Sequence, residues 1–297
     1  MAGSILTIVR RFRQAVARHR IGIRLLIGIL ALMVILDPLL FDRSVVHLLV
    51  GHSVIFLMLL LALLMVEGGH QEAFVDQPSR PLAPRFVPAL GFRALTPIYD
   101  GVVKATTRES LFKRMLTEQA NLQPGQHVLD LACGTGTLAV RMARSQPLAQ
   151  ITGVDGDPEV LARARKKIDR AGVRVRLDHA DATALPYGSG QFDRVVTSLF
   201  FHHLTWADKR RAASEIMRVL KPGGELHLAD WGKPKNWLMR WLFFPVQVLD
   251  GFANTRSHIA GQLVELFQQA GFNAVVEHDQ ISTMFGTLSL YSAVRPH

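Results

Sequence analysis

At 297 residues with 49% hydrophobic content, the chain can bury the core of one α/β domain plus an appendage, which excludes a disordered or fibrous protein. A net charge of +10 invites a nucleic-acid reading, but the charge is uneven: Arg10, Arg11, Arg13, Arg18, Arg20 and Arg24 precede any acid, and the chain beyond residue 70 is only mildly basic. The lone cysteine, Cys133, excludes an intrachain disulfide and a cysteine-rich zinc site, and no metal site is read from the sequence.

Residues 45–66 run VVHLLVGHSVIFLMLLLALLMV without a formal charge, long enough to cross a hydrocarbon core about 30 Å thick. Residues 21–41 form a second, weaker apolar run, with Arg24 near its start and Asp37-Pro38 near its end. Basic flanks stay in the cytoplasm, so the arginine-rich start lies inside, and the long C-terminal part lies inside as well if it uses a cytosolic cofactor. Two crossings, or a re-entrant hairpin, satisfy both demands. The expectation is a membrane anchor over residues 1–70, built of hydrophobic helices at about 21–41 and 45–66, with the remainder on the cytoplasmic face and the lipid bilayer as partner. A cleaved signal peptide lacks a small-residue cleavage site, and a buried soluble hairpin would leave His47 and His52 as core polar groups. Residues 71–95 carry Pro78, Pro81, Pro84 and Pro88 and read as an extended linker.

From about Thr96 short apolar runs alternate with amphipathic stretches, the pattern of a largely parallel sheet covered by helices. Strands are predicted at His127 to Leu131, Ile151 to Asp155, Arg174 to His179, Phe192 to Ser198 and Glu225 to Asp230, with closing strands over about 274–281 and 287–294. Asp157-Pro158 opens a helix carrying Leu161, Ala164 and Ile168 on one face. Ala213, Ile216, Met217 and Leu220 mark another, stopped by Lys221-Pro222-Gly223-Gly224. Ile259, Leu263, Leu266, Phe267 and Ala270 predict one further helix, ended by Gly271.

The run HVLDLACGTGTLAV, residues 127–140, is a strand that breaks into a glycine turn and opens a helix. Gly134 and Gly136 let the backbone turn sharply and approach a ligand, with helix-start N–H groups available to it. Gly134-x-Gly136-x-x-Ala139 alone also matches a dinucleotide fingerprint. Asp130 separates the two readings, because a carboxylate there repels a pyrophosphate and attracts the ammonium of a methionyl group. The cofactor read from the residues is therefore S-adenosylmethionine and not NAD. Asp155 closes the second strand, where an acid can accept ribose hydroxyls, and Asp181 follows the third, placed to accept from an adenine amino group. A single aspartate after a strand is more often a turn or cap residue; three in succession with the glycine turn reverse that balance.

DLACGTG, VDGDP, DATALP, FDRVVTS and LKPGG, in this order and spacing, resemble the motif series of class I S-adenosylmethionine-dependent methyltransferases over residues 96–297. LTPIYD and SLFFHHL are similar to the branch that includes ubiquinone and menaquinone C-methyltransferases. The resemblance implies a Rossmann-like, seven-stranded, mostly parallel sheet with helices on both faces and one antiparallel strand near its edge. It also implies that Asp130, Ala132, Gly134 and Gly136 line the methionyl part, Asp155 and Gly156 the ribose, Asp181 and Ala182 the adenine, and Ser198 the floor. Cys133 reads as packing.

A sulfonium methyl is already activated, so holding an acceptor in line with it carries most of the chemistry, and a base is needed only where the acceptor sheds a proton. His202 and His203, just past the fourth strand, are the candidates for that base, and a structural hydrogen-bonding role is their alternative. Tyr99 reads equally as a residue folded over the cofactor or as a core aromatic. Asp230 and Trp231 are read as facing the same crevice. The apolar stretch NWLMRWLFFPVQVLDGF, residues 236–252, is either core packing or an interfacial lid for a lipophilic acceptor.

The function expected is methyl transfer to a small, membrane-resident acceptor, a quinone precursor or a phospholipid headgroup. RNA or other nucleic-acid methylation is the rival, disfavoured because SLFFHHL stands where a base-amine pocket would carry an Asn/Asp-Pro-Pro-Tyr motif. A non-catalytic scaffold is the third reading, disfavoured by the intact Asp130, Gly134, Gly136 and Asp155.

Overall fold

A computed structural model describes residues 107–297. Helix α1 (Glu109–Ala120) precedes β1 (His127–Leu131), α2 (Thr137–Ser145), β2 (Gln150–Asp155), α3 (Pro158–Ala171) and β3 (Arg176–His179). Then come β4 (Phe192–Ser198), a 3₁₀ turn (Phe201–His203), α4 (Trp206–Val219) and β5 (Leu220–Trp231). Three short helices follow, α5 (Trp237–Leu242), α6 (Phe244–Asp250) and α7 (Phe252–Ile259), then α8 (Leu263–Gln269), β6 (Asn273–Thr283) and β7 (Gly286–Val294). The strands form one seven-stranded sheet in the order β3-β2-β1-β4-β5-β7-β6. Strands β1 to β5 run parallel, and β7 runs antiparallel to both β5 and β6. The expected sheet with one antiparallel strand beside its edge is the one observed.

Strand periodicity decides which side chains meet which helices. Leu129 and Leu131 of β1 enter a buried cluster with Phe201, Ile216, Leu263, Leu266 and Phe267, on the side covered by α4 and α8. A period of two turns Val128 and Asp130 to the other face, where α1 and α2 pack against each other. Chain order reverses between β1 and β4, and the carboxyl ends of strands at such a switch point leave the crevice where α/β sheets bind ligands.

Local signals explain several boundaries. The Asp157 carboxylate accepts the N–H groups of Glu159 and Val160 at 2.8 and 3.4 Å, capping α3, and Gly172 in the left-handed region (φ 65°) ends it. Thr205 caps α4 by accepting the N–H of Asp208 at 3.2 Å.

Two expectations are corrected. Lys221-Pro222-Gly223-Gly224 stops α4 but is not a loop: β5 begins at Leu220, pairs with Phe192, and slips register before Arg194 meets Glu225. Gly223 and Gly224 exchange backbone hydrogen bonds with Arg295, so long-range pairing turns a helix-stop sequence into strand. The helix expected from Ile259 through Ala270 is two helices, broken at Gly261, whose φ of 74° lies outside the helical region.

The hydrophobic runs at 21–41 and 45–66, the linker at 71–95 and Tyr99 lie outside the described residues. Among the described residues no helix is long and apolar enough to cross a membrane.

Candidate active site

The glycine turn after β1 is shaped by left-handed backbone: Ala132 (φ 54°), Gly134 (φ 55°) and Gly136 (φ 77°) all lie there. At Ala132 only a small side chain keeps the strain low. At Gly136 a Cβ would stand 3.2 Å from the Ala164 Cβ, so this glycine lets α2 and α3 pack closely. Gly134 has the opposite surroundings, since a Cβ there would meet nothing within 4 Å, and its backbone borders open space.

Asp155 holds this turn in place. Its Oδ2 accepts the Gly134 N–H at 2.9 Å and its Oδ1 accepts the Asp157 N–H at 2.9 Å. Burial raises the Asp155 carboxyl, against the pull of those N–H groups. Each carboxylate oxygen keeps a further lone-pair site, so the residue can brace the loop and still accept a ligand hydroxyl. The neighbouring Gly156 carbonyl pairs with His179 Nε2 at 3.0 Å. Asp181 uses Oδ1 within its own turn, accepting the Thr183 N–H at 2.7 Å and hydroxyl at 2.8 Å. Ala182 packs half-buried against the core. Ser198 ends β4 beside Ala229 of β5. Cys133 is buried, a Cβ on Gly153 would meet its Sγ at 3.1 Å, and burial pushes its thiol up, as a packing residue requires.

Asp130 is 1% exposed, and burial pushes its carboxyl up to about 7 although Lys113 pulls it down. It accepts the N–H of Ala139 in the first turn of α2, yet its Oδ2 has no partner among the described residues. A buried carboxylate oxygen without a donor is costly, and a cationic ligand group resolves that cost. Together with the space before Gly134, this is the observation that the residues fit S-adenosylmethionine: Asp130 for the ammonium, the glycine turn for the methionyl chain, Asp155 for the ribose.

The second half of the site gathers at the ends of β4 and β5. His202 Nδ1 meets Asp230 Oδ1 at 2.7 Å, and Asp230 also accepts the N–H groups of Phe200, Phe201 and Trp231. Against the burial that would raise it, the His202 ring, His258 and the Trp231 N–H hold the Asp230 carboxyl well below the ordinary range. His203 Nδ1 meets Asp250 Oδ1 at 3.0 Å, and the two imidazole centroids are 4.0 Å apart. Against burial, the Asp250 carboxylate raises His203, and His203 in turn holds Asp250 low. His258 Nδ1 donates to the Trp231 carbonyl, 2.7 Å away, and burial lowers the imidazole to about 4.

Asp230 and Trp231 do not line an open crevice as expected. Both are buried: Asp230 is the hub of the turn after β4, and Trp231 packs edge-on to Phe243 at 5.5 Å. Asp250, His258 and Lys209 were not anticipated as members. Lys209 was detectable, since it lies four and seven residues before Ala213 and Ile216 and so falls on the buried stripe of α4. Its ammonium donates to the Asn254 carbonyl and to Ser257 Oγ, and burial lowers it to about 8.

The segment over α5 to α7 divides in two. Met239, Phe243 and Val246 are buried, whereas Trp237 and Trp241 are 67% and 59% exposed, with Phe244, Val248 and Phe252 also outward. Trp237 and Trp241 share a face of α5, Phe244 and Val248 share a face of α6, and Phe252 at the start of α7 stands 6.0 Å from Phe244, ring centre to ring centre. Exposed Lys233, Lys235, Arg240 and Arg256 accompany them.

Comparison with known proteins identifies the family. A family profile described as a methyltransferase domain matches residues 128–224. An uncharacterized methyltransferase of Synechocystis sp. is 38% identical over 175 residues, covering 57% of this chain and 77% of that protein. A demethylmenaquinone methyltransferase of Lactiplantibacillus plantarum is 33% identical over 208 residues, covering 62% of this chain and 86% of that protein. Among solved structures, the 4+2 cyclase SpnF superposes with a TM-score of 0.52 at 25% identity, over 62% of this chain and 80% of that one. The chain belongs to the class I S-adenosylmethionine-dependent methyltransferases and uses S-adenosylmethionine as cofactor. Its homologues include methyltransferases of quinone biosynthesis.

Proposed function

We propose that the protein methylates a small, lipophilic, membrane-resident acceptor, a quinone precursor or a phospholipid headgroup, at the cytoplasmic face of a membrane to which residues 1–70 anchor it. The observation that carries this reading is the set of exposed apolar side chains Trp237, Trp241, Phe244, Val248 and Phe252 over α5 to α7, a segment that, with the residues leading into it, also exposes Lys235, Arg240 and Arg256. Clustered outward aromatics beside lysines and arginines suit insertion at the boundary of an anionic lipid surface. The uncharged run at 45–66 in the same chain supports that occupant over a protein partner. The demethylmenaquinone and ubiquinone/menaquinone methyltransferases among the relatives support the quinone class.

Asp130, Ala132, Gly134, Gly136, Asp155, Gly156, Asp181, Ala182 and Ser198 hold the cofactor, which supplies an electrophilic methyl. The turn with His202 and His203 forms the acceptor wall. Asp230 fixes the His202 ring, and α6 brings Asp250 against both imidazoles. A phenol or carbon acceptor loses its proton at this wall. The helical segment excludes water from it and orients the acceptor, which is most of what an activated methyl requires.

The test is incubation of the full chain with methyl-labelled S-adenosylmethionine and a membrane lipid extract, with RNA in parallel. Label in the lipid-soluble fraction alone is the expected result. Label in RNA alone would overturn the reading in favour of nucleic-acid methylation, and label in neither would leave the wall without an acceptor of the proposed class.

A further inference from the structure

The His202, His203 and Asp250 side chains converge, and the hydrogen bond between His203 and Asp250 accounts for only one of the approaches. One ligand-type atom from each lies within 4.8 Å of the others. Asp230, an ionised carboxylate engaged by three backbone N–H groups, can only accept, so His202 Nδ1 carries a proton toward it. Its Nε2, on the far side of the ring, faces the Asp250 Oδ2 at 3.7 Å. That separation is too long for a hydrogen bond. It does suit two ligands of one ion, since donors about 2.0–2.2 Å from a tetrahedral centre sit roughly 3.5 Å apart.

The surroundings support a cation. The Asp250 side chain is 10% exposed, and among the described residues its ion-pair partners are the two imidazoles. The nearby Lys209 ammonium is turned to the Asn254 carbonyl and Ser257 instead. Asp250 also closes α6 at its C-terminus, where the helix dipole disfavours a carboxylate. The His202 ring is oriented by a buried acid on its far nitrogen, the arrangement that fixes tautomer and ring plane in metal-ligating histidines. His203, 20% exposed at its side chain, leaves a route from solvent.

We propose that His202 Nε2, His203 and Asp250 bind a divalent ion of borderline softness such as Zn²⁺, leaving a coordination position open toward the acceptor side. Two imidazoles and one carboxylate, without a thiolate, match that class of ion and not Ca²⁺ or Mg²⁺, which take oxygen ligands. The ion clips the end of α6 to the turn after β4, joining the helical segment to the sheet. In its open position it can hold an oxygen of the acceptor and lower that oxygen's pKa. This stands on side-chain geometry and does not depend on which acceptor the crevice takes.

The experiment is titration of chelator-treated, full-length protein with Co²⁺, followed by its visible d–d absorption, with Zn²⁺ as competitor. Expected are a single bound equivalent with a tetrahedral-type spectrum, displacement by Zn²⁺, and loss of the site in His203→Gln and Asp250→Asn. Asp230→Asn, which does not touch the ion, weakens binding by about tenfold or more. Retained S-adenosylmethionine binding by His203→Gln, a partly exposed position, shows that this variant is folded. Absence of stoichiometric Co²⁺ binding, or binding unchanged in His203→Gln and Asp250→Asn, overturns the proposal.

Discussion

The two halves of the crevice are built on different principles. On the β1–β2 side every functional feature is local: a strand, a glycine turn, a helix start and an aspartate at the next strand end, all within Val128 to Pro158. On the β4–β5 side the site is assembled from distant segments, with His202 and His203 in a 3₁₀ turn, Asp230 at a strand end and Asp250 at a helix end. The first arrangement follows from backbone conformation and tolerates little change at its glycines. The second follows from side-chain pairing in a buried setting, where charge balance decides which residues are required.

The contrast predicts where the molecule breaks. The largest expected effect is on the β4–β5 side: Asp230→Ala removes the acceptor of three backbone N–H groups and strands His202. It should cost about 3–5 kcal/mol in urea unfolding, as the loss of one partner from a buried pair does. Next, the two glycines of the turn should separate. Gly134→Ala and Gly136→Ala each force an L residue into left-handed backbone, about 1–2 kcal/mol. Only Gly136→Ala adds compression against Ala164, so its midpoint should fall further.

Asp130→Asn should weaken S-adenosylmethionine binding by roughly tenfold while leaving the fold intact, since a charge-assisted contact is lost and the volume is kept. The wild type should show a matching pH dependence. With the free carboxyl raised to about 7, a cationic ligand binds the ionised form and releases a proton. Affinity is then full above that value and falls roughly tenfold over the unit of pH below it. Asp130→Asn should flatten this profile, and isothermal titration at several pH values checks both. The smallest stability change belongs to Trp237→Ser with Trp241→Ser, within about 0.5 kcal/mol, because both side chains are outward. The same pair should reduce binding to anionic lipid vesicles by the described domain, measured by co-sedimentation.

How much was legible follows the same division. The strands from His127 to Asp230, the α3 cap at Asp157 and the glycine turn after β1 could be read because each signal sits within a few residues of its effect. Gly261 splitting α7 from α8, and Lys221 to Gly224 continuing as strand through Arg295, depended on packing partners far along the chain. Asp250 was hidden for that reason: it ends an apolar stretch that reads as lid or core, and only the folded chain sets it against two imidazoles.

The most direct test of the central claim is calorimetric titration of the full chain with S-adenosylmethionine and, separately, with NADH, repeated on Asp155→Ala. The account predicts binding of S-adenosylmethionine alone and its loss in the variant, because Asp155 braces Gly134 and is the residue proposed to accept the ribose hydroxyls. Binding of NADH, or folded wild-type protein that ignores S-adenosylmethionine, would contradict it.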